Sequence, residues 1–499
     1  MTEKSTKGIW KVISASSLGT MIEWYDFYIF GSLAVVISTK FFPSENPTAA
    51  FLSTLATFAA GFVVRPFGAL FFGRLGDLIG RKHTFMVTLL LMGGATFAIG
   101  CVPSYETIGY LAPVLVLILR LLQGLALGGE YGGAATYVAE HAPKGERGYW
   151  TSWIQTTATV GLLLSLMVIL TTRNLLTAEQ FDDWGWRIPF LISILMVFVS
   201  YLIRKKMDES PEFTQAKAEG KTSKNPLKES FGNKYNLKFV LLALFGATMG
   251  QGVVWYTGQF YAMNFMKTVL NIESSQVDTL LGIALLLGTP FFVLFGWLSD
   301  KIGRKSIMMT GMLLAILLYR PIYKSMYETV DLNNKRITKT LVSNDTEKVK
   351  NLSLQITNCE YHDGTTSKMI ATSNLSKSMA KPEIKMTVNI NSHDKRILVF
   401  LVFIQVLFVA MVYGPIAAFL VEMFPTKIRY TSMSLPYHVG NGIFGGLLPA
   451  ISTYFVTNAK DNGNPEFYLE GLWYPIGVAT VCFVIGMVYL NWKNETIND

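Results

Sequence analysis

A ten-residue phrase that occurs twice is the feature that most limits what this chain can fold into. Residues 73–82 read GRLGDLIGRK and residues 296–305 read GWLSDKIGRK, with seven of ten positions identical. Each copy follows a long apolar run and precedes another. Two copies of one loop between apolar helices indicate two copies of one membrane unit, and this predicts a transporter built by duplication.

A second repeated pattern, E-x-x-P-x-x-x-R, supports the duplication and locates an insertion. It begins at Glu140 and again at Glu422, 282 residues later (422 minus 140). The copies of the ten-residue phrase are 223 residues apart (296 minus 73). The difference of 59 residues (282 minus 223) requires extra chain between the two patterns, and the polar segment 322–395 supplies it.

Hydropathy along the chain predicts twelve membrane-spanning helices. The sequence is 51% hydrophobic and only 15% charged, against about 25% charged residues in an average soluble domain. The apolar residues fall in blocks of about 20, the length that crosses about 30 Å of hydrocarbon. The blocks lie near 11–37, 51–72, 83–102, 110–137, 150–171, 187–204, 238–264, 278–298, 306–322, 397–423, 431–456 and 471–491.

These blocks predict an all-α membrane protein with two pseudo-symmetric six-helix bundles. The expected units are an N-terminal bundle (1–203), a linker (204–237), a C-terminal bundle (238–322 and 396–491) and an insertion between helices 9 and 10 (323–395). Parts of the insertion alternate apolar and polar residues. The insertion is therefore either a small β element or a flexible loop.

The placement of basic residues predicts the orientation in the membrane. The net charge is +9, but Lys and Arg are concentrated in the short connections after even-numbered blocks. This is the positive-inside bias, which puts both termini and the linker in the cytoplasm and the insertion outside a bacterial-type plasma membrane. We therefore expect the lipid bilayer as the partner of this chain, no nucleic acid, and a monomer.

The charged residues of the two repeated patterns predict a cytoplasmic gate. They would form a charge network that closes in one transport state and opens in the other, although they could instead only fix the topology. We expect Asp77 to lie near the start of helix 3, where the helix dipole favours a carboxylate. The gate candidates are Gly73, Asp77, Gly80, Arg81, Glu140, Arg147, Asp300, Arg304, Glu422 and Arg429.

Five further stretches carry a resemblance to a known family. They are IEWYDFY (22–28), RPFG (65–68), RLLQGLALGGEYGG (120–133), WGWRIPF (184–190) and ESPEF (209–213). With the repeated phrase, they make nearly the whole chain except 322–395 resemble the metabolite:proton symporter branch of the major facilitator superfamily. The resemblance implies alternating access and proton-coupled uptake of a small polar metabolite, with the proton gradient as energy source and no cofactor.

Ionisable residues within apolar blocks are predicted to be functional, because a charge at mid-membrane costs several kcal/mol. Glu23 and Asp26 share one face of helix 1, and we expect them to meet Arg120 of helix 4 near the midplane. A buried carboxyl beside a movable arginine can carry a proton. The alternative is a permanent Asp26–Arg120 ion pair that only holds helices together. Glu130 is a further proton-coupling candidate, in a glycine-rich stretch that predicts close helix packing.

The predicted substrate site has a charged wall and a neutral wall. An arginine can hold a carboxylate by two parallel hydrogen bonds, and one face of helix 7 carries amides and a tryptophan. This combination suits a small organic acid or a zwitterion. The substrate-binding candidates are Arg65, Arg120, Gln251, Trp255, Tyr256, Gln259, Tyr413 and Asn441.

Other functions are weighed against this one. A proline/betaine-type osmolyte symporter stays open, because Trp255 and Tyr256 can hold a quaternary ammonium by cation–π contact. A drug/proton antiporter is less favoured, because helix 5 lacks the Gly-Pro signature usual in that group. A transporter-like nutrient sensor would need a signalling domain that the sequence does not contain. An enzyme is not expected, because no nucleophile–base set or metal-ligand spacing appears.

Overall fold

The computed structural model describes residues 3–43, 47–79, 81–143, 145–205, 211–219, 223, 225–347, 352–374 and 383–490. Long helical segments follow the predicted apolar blocks, and each begins or ends within a few residues of a charged or turn-forming position. They are α1 (Glu3–Ser32, continued after a bend as Ala34–Phe41), α2 (Ala49–Ile79), α3 (Arg81–Cys101), α4 (Leu111–His141), α5 (Arg147–Leu175), α6 (Ile188–Lys205), α7 (Lys234–Thr268), α8 (Ser274–Ile302), α9 (Arg304–Val330), α10 (Ser392–Met423), α11 (Arg429–Asp461) and α12 (Phe467–Tyr489).

Length and composition make most of these segments able to cross a membrane. Ten helices in the described residues are long and apolar enough, and the two parts of α1, bent by 63° at their junction, would make an eleventh. The apolar part of α3, Met86–Cys101, is shorter. The protein is therefore a multi-pass helical membrane protein.

The molecule has two ends, which we name by their loops. The repeat-loop end carries the loops α2–α3, α4–α5, α8–α9 and α10–α11, where the two repeated patterns lie. The insertion end carries the α9–α10 connection. Two short helices, Pro211–Ala218 and Pro226–Phe231, lie between α6 and α7 in the predicted linker, and α7 begins at Lys234, before the predicted boundary at 238.

Glycines let α2 and α4 cross at close range. A Cβ atom at Gly124 would lie 1.8 Å from the carbonyl oxygen of Gly61, and one at Gly128 would lie 2.2 Å from that of Arg65. Only glycine fits at such contacts. The close packing predicted for the glycine-rich stretch of α4 is therefore present, and it fixes the position of Arg65.

The insertion is a four-stranded antiparallel sheet in the order β1-β2-β3-β4, so the flexible-loop alternative is wrong for its described part. The strands are β1 (Ile337–Glu347), β2 (Leu352–Tyr361), β3 (Thr366–Asn374) and β4 (Glu383–Asn389). The flanking helices reach further into the polar segment than predicted. α9 continues through Pro321 to Val330 and α10 begins at Ser392, because polar residues beyond the apolar blocks still extend the helices.

Backbone and ionic contacts attach the sheet to the C-terminal half. The N–H of Val388 in β4 donates to the carbonyl of Asn271 (2.8 Å), and the N–H of Glu273 donates to the carbonyl of Val388 (3.0 Å). Lys335 pairs with Asp363 (2.6 Å) and with Asp394 at the start of α10. The loop after α7 and the first turn of α10 thus hold the base of the sheet.

Candidate functional site

The aspartates of the repeated phrase bind helix N-termini of the opposite half. Oδ2 of Asp77 accepts hydrogen bonds from the N–H (3.2 Å) and hydroxyl (2.7 Å) of Thr431 in the first turn of α11. Asp300 accepts from the N–H groups of Gly148 (2.9 Å) and Tyr149 (2.7 Å) in the first turn of α5. A carboxylate at a helix N-terminus satisfies free N–H groups and is favoured by the dipole.

This geometry corrects the expected position of Asp77. It lies in the last turn of α2, not near the start of helix 3, and it serves the dipole of a different helix. The repeat makes the arrangement symmetric, because α5 and α11 both begin at the arginine of the E-x-x-P-x-x-x-R pattern. Each half therefore locks the other at the repeat-loop end.

The remaining gate candidates form ion pairs both within and between halves. Arg429 pairs with Glu140 of the opposite half (3.2 Å), whereas Arg304 pairs with Asp300 (2.6 Å) and Glu422 (3.0 Å) of its own half. Gly73 packs against Thr431, and Arg147 is partly buried at the start of α5. Gly80 and the side chain of Arg81 lie outside the described residues.

Aromatic rings close the space between the halves. Tyr131 of α4 stacks on Tyr437 of α11 with ring centroids 3.5 Å apart. Further toward the insertion end, Tyr28 of α1 stacks on Trp255 of α7 at 5.5 Å. Beyond these rings a cavity of about 430 Å³ lies at the insertion end, lined by α2, α7 and α11. The chain is thus closed at the repeat-loop end and open to a cavity at the other end.

Arg65 is a fully buried cation that forms no ion pair with a described residue. None of its three guanidinium nitrogens makes an aligned hydrogen bond to a described residue, although the hydroxyl of Tyr256 lies near the guanidinium. Its neighbours are aromatic faces, with ring centroids of Trp24, Phe27 and Phe62 at 5.1, 5.5 and 5.1 Å from Cζ. Gly442 of α11 lies against the α2 backbone, where a Cβ would be 3.8 Å from Cβ of Arg65, so this cation faces the C-terminal half.

The predicted meeting of Asp26 and Arg120 is wrong. Arg120 donates to Oε1 of Gln123 (2.7 Å) and to the carbonyls of Phe27 (3.3 Å) and Phe58 (3.4 Å), and its guanidinium lies over three phenylalanine rings. The rings and carbonyls hold it away from the carboxylate, so no Asp26–Arg120 ion pair exists in the described chain. The alternative of a permanent Asp26–Arg120 ion pair is therefore wrong, and proton coupling by Glu23 and Asp26 stays a prediction.

Asp26 is completely buried, and neither of its oxygens has a hydrogen-bond partner among the described residues. The neighbouring hydroxyl of Thr96 donates to the carbonyl of Met92 instead (3.0 Å). An isolated buried carboxylate is costly. The site therefore suits a carboxyl group that is protonated in this state.

The C-terminal half supplies a neutral wall. Gln251 and Asn441 bind each other through both amide groups, at 3.1 and 2.9 Å. The hydroxyl of Tyr413 lies 2.8 Å from that of Tyr437, and Gln259 reaches Thr159 of the opposite half (3.4 Å). Of the substrate candidates of this half, Gln251 and Asn441 therefore bind each other, and Gln259 contacts the N-terminal half.

Two groups of site residues were missed by sequence reasoning. Arg204 is the first residue of the predicted linker (204–237) and belongs by sequence to the basic connection after the sixth block, but its side chain is 3% exposed and binds Glu23 and Glu130. Trp24 and Tyr28 were present in a family stretch without an individual role. The signal for Arg204 was its place in the last turn of an apolar helix, where a long side chain can turn back into the bundle.

Comparison with known proteins identifies the family. A model described as sugar (and other) transporter matches residues 11–335. The chain belongs to this transporter family of the major facilitator superfamily. It is similar to the alpha-ketoglutarate permease of Escherichia coli strain K12 (30% identical, 96% of this chain and 93% of that one). It is also similar to the proline/betaine transporter of Salmonella typhimurium (29%, 98% and 84%) and the citrate-proton symporter of Klebsiella pneumoniae (30%, 95% and 89%).

Solved structures give the same fold. The proton:xylose symporter XylE bound to 6-bromo-6-deoxy-D-glucose superimposes with a TM-score of 0.70 at 15% identity, covering 99% of this chain and 98% of that one. The family model and the curated relatives make the protein a secondary transporter and not an enzyme. The predicted superfamily and its symporter branch are confirmed.

Proposed function

We propose that this protein imports a small carboxylate-bearing metabolite together with protons, and that Arg65 binds the carboxylate. The observation that carries the proposal is the guanidinium of Arg65, buried between the halves with no carboxylate partner and no aligned hydrogen bond in the described chain. A buried charge without a partner is strongly unfavourable. A substrate carboxylate that forms two parallel hydrogen bonds with Arg65 would remove that cost.

The transport cycle follows from the closed and open ends. The ten clear spans, α1 and α3 together make twelve crossings, with both termini and the repeat-loop end in the cytoplasm of a bacterial-type cell. In the described state the cavity at the insertion end lies on the outer side of the aromatic rings, and the opposite end is closed. Protonation of Asp26 and loading of Arg65 would release the locks at Asp77 and Asp300, so the halves rock and open inward.

The named relatives support a carboxylate in particular. α-Ketoglutarate, citrate, proline and betaine differ in size and in number of charges, but each carries at least one carboxylate. One unpaired buried arginine is the shared requirement of such a set. The neutral wall opposite Arg65 would then distinguish among them.

A proline- or betaine-type osmolyte is the second candidate, and the aromatic stack favours it. Trp24, Tyr28 and Trp255 stack face to face, with centroids 5.1 Å apart for the first pair and 5.5 Å for the second. Aromatic faces bind quaternary ammonium groups. A zwitterion could therefore place its carboxylate on Arg65 and its cation against these rings.

The test uses purified protein in proteoliposomes with an imposed pH gradient. Uptake of labelled dicarboxylates, proline and betaine is compared, and the carboxamide of the best substrate is used as competitor. We expect the carboxylate to compete and the carboxamide to fail. Arg65→Gln should raise the half-saturation concentration about 10- to 100-fold, as for loss of a charge-assisted hydrogen bond.

Arg396→Gln is the matched control, because Arg396 is exposed at the start of α10. It should transport like the unmodified protein. Equal competition by acid and amide, or unchanged half-saturation in Arg65→Gln, would contradict a carboxylate site at Arg65. Preference for betaine over dicarboxylates would select the second candidate.

A further inference from the structure

A buried ionic cluster lies below Asp26, toward the repeat-loop end of the N-terminal half. It consists of Glu23 of α1, Glu130 of α4 and Arg204 of α6, and we call it the Arg204 cluster. Nη1 of Arg204 lies 3.0 Å from Oε1 of Glu23 and 3.2 Å from Oε2 of Glu130, and Nη2 binds Oε1 of Glu130. All three side chains are at most 3% exposed.

The fold makes room for this cluster in a specific way. Arg204 stands in the last turn of α6, and its side chain turns inward over the backbone of α1 at Gly19. A Cβ atom at Gly19 would lie 2.5 Å from Nε and Nη2 of Arg204. The arginine therefore connects the cytoplasmic end of α6 with carboxylates that lie deep in the bundle.

The two carboxylates are not held equally. Glu130 accepts from both terminal guanidinium nitrogens of Arg204. The hydroxyls of Thr20 (3.5 Å) and Thr88 (3.3 Å) also lie within reach of Glu130, although each is closer to a backbone carbonyl of its own helix, at 3.0 and 3.1 Å. Glu23 is within ion-pair range of Arg204, but its oxygens accept no aligned hydrogen bond from the described residues. A carboxylate that accepts several hydrogen bonds stays ionised, whereas a poorly bonded buried one takes a proton.

The charges around Glu23 also favour a proton on one carboxyl group of the cluster. The cluster holds two carboxyl groups and one guanidinium, so full ionisation leaves a buried net negative charge. The other buried charged groups of this interior are Asp26 on the same helix and Arg65 and Arg120, which face the aromatic rings. α3 contributes the hydroxyl of Thr88. Like charges at one buried site disfavour double ionisation, so one proton is retained.

We propose that Glu23 is an inner proton site that receives its proton from Asp26 and releases it to the cytoplasm, with Arg204 as the positioning residue. Asp26 and Glu23 are one helical turn apart on α1, about 4.5 Å along the axis. When the repeat-loop end opens, Glu23 loses its proton to the cytoplasm, and the carboxylate formed then takes the proton of Asp26. Asp26 is left ionised, so one proton has moved inward. This inference rests on the proposed symport.

The test measures proton entry with a pH-sensitive dye sealed inside proteoliposomes, alongside uptake of the substrate identified above. We expect Glu23→Gln to keep counterflow exchange and to reduce substrate-driven proton entry about tenfold or more, the effect of at least one pH unit in proton affinity. Arg204→Gln should shift the internal pH needed for half-maximal accumulation upward by about one unit, and Arg204→Lys should restore most of it.

Lys205→Gln is the matched control, since Lys205 is the exposed neighbour of Arg204 on the same helix. A cluster that only holds helices together would lower thermal stability in Arg204→Gln but leave the pH profile and the proton-to-substrate ratio unchanged, and this overturns the inner site. If Arg204→Gln does not fold, Glu23→Gln and Arg204→Lys still decide. Uptake without proton entry by the unmodified protein would instead contradict the symport itself.

Discussion

The two halves of this protein share one kind of helix-capping contact but have different interiors. Each half contributes an aspartate that caps a helix of the other, at Asp77 and Asp300. In contrast, buried charges lie in the middle of the N-terminal half, while the facing wall of the C-terminal half consists of amides, tyrosines, a tryptophan and a histidine. Both halves therefore carry a capping aspartate, whereas the buried charges near the middle of the described chain lie in the N-terminal half. Coupling is expected in one half and substrate discrimination in the other.

One pair of equivalent positions shows how the halves diverged. With the offset of the repeated phrase, Arg65 corresponds to Gly288 (65 plus 223). Gly288 is buried in α8, where a Cβ would lie 2.3 Å from Cγ1 of Val406 of α10. The same place in the repeat therefore holds the proposed carboxylate-binding arginine in one half and a close helix contact in the other.

The strongest test of this division is Asp26→Asn. One pH unit of gradient is worth about 1.36 kcal/mol per proton, or about tenfold accumulation. The variant should accumulate nothing while it retains counterflow exchange, because the amide cannot carry a proton. Labelled uptake with and without a pH gradient measures this. Asp183→Asn, at an exposed site, should behave like the unmodified protein, and persistent accumulation in Asp26→Asn would remove this residue from coupling.

Substitutions in the neutral wall should change the affinity for substrate and leave proton coupling unchanged. Gln251→Ala and Asn441→Ala each leave the partner amide unsatisfied, which costs about 1 kcal/mol or about fivefold in half-saturation. Their effects should not add, since the two side chains bind each other. Titration of uptake together with proton entry checks this prediction. A changed proton-to-substrate ratio in either variant would show that coupling is not confined to the N-terminal half.

The gate provides the reverse comparison, because here the halves should respond alike. Asp77→Asn and Asp300→Asn each remove a charged cap worth about 1 kcal/mol, so each should shift the population open at the repeat-loop end about fivefold. Spin labels would be placed at Glu146 and Lys427, both exposed. The distance between them, measured by electron paramagnetic resonance, would report this shift. Asp182→Asn serves as control. A large effect from one aspartate alone would contradict the symmetric gate.

Much of the fold can be predicted from the sequence, because the lengths of the apolar runs indicate the spans and the repeated phrase indicates the duplication. The repeated phrase locates the capping aspartates of both halves, and alternation in the insertion indicates the strands. Helix ends outside the apolar blocks are less predictable, as at Val330 and Ser392. At both positions the helix continues into polar sequence, and hydropathy does not mark where it ends.

The site is only partly predictable, since its partners come from distant helices. Buried ionisable residues such as Glu23, Asp26 and Arg65 are evident from hydropathy alone. Sequence could not show that Arg120 is occupied by Gln123 and backbone carbonyls, or that Arg204 turns inward over Gly19. Pairing between side chains depends on helix crossings, and these are set by glycine contacts across the bundle.

The insertion gives the smallest expected effect and belongs to the C-terminal half alone. Partial burial opposes ionisation of Asp363, but hydrogen bonds from Lys335 and from the N–H of Thr365 outweigh it and lower the pKa of its carboxyl to about 2. Because the pKa is below the ordinary value near 3.9, the stabilisation is present above pH ~4 and is lost as the pH falls through about 2. The protection factors for amide hydrogen exchange in β2 and β3 should therefore be unchanged between pH 7 and 5. Asp363→Asn should weaken this protection slightly and abolish its acid dependence, whereas loss of protection already at pH 5 would contradict the ion pair as the anchor.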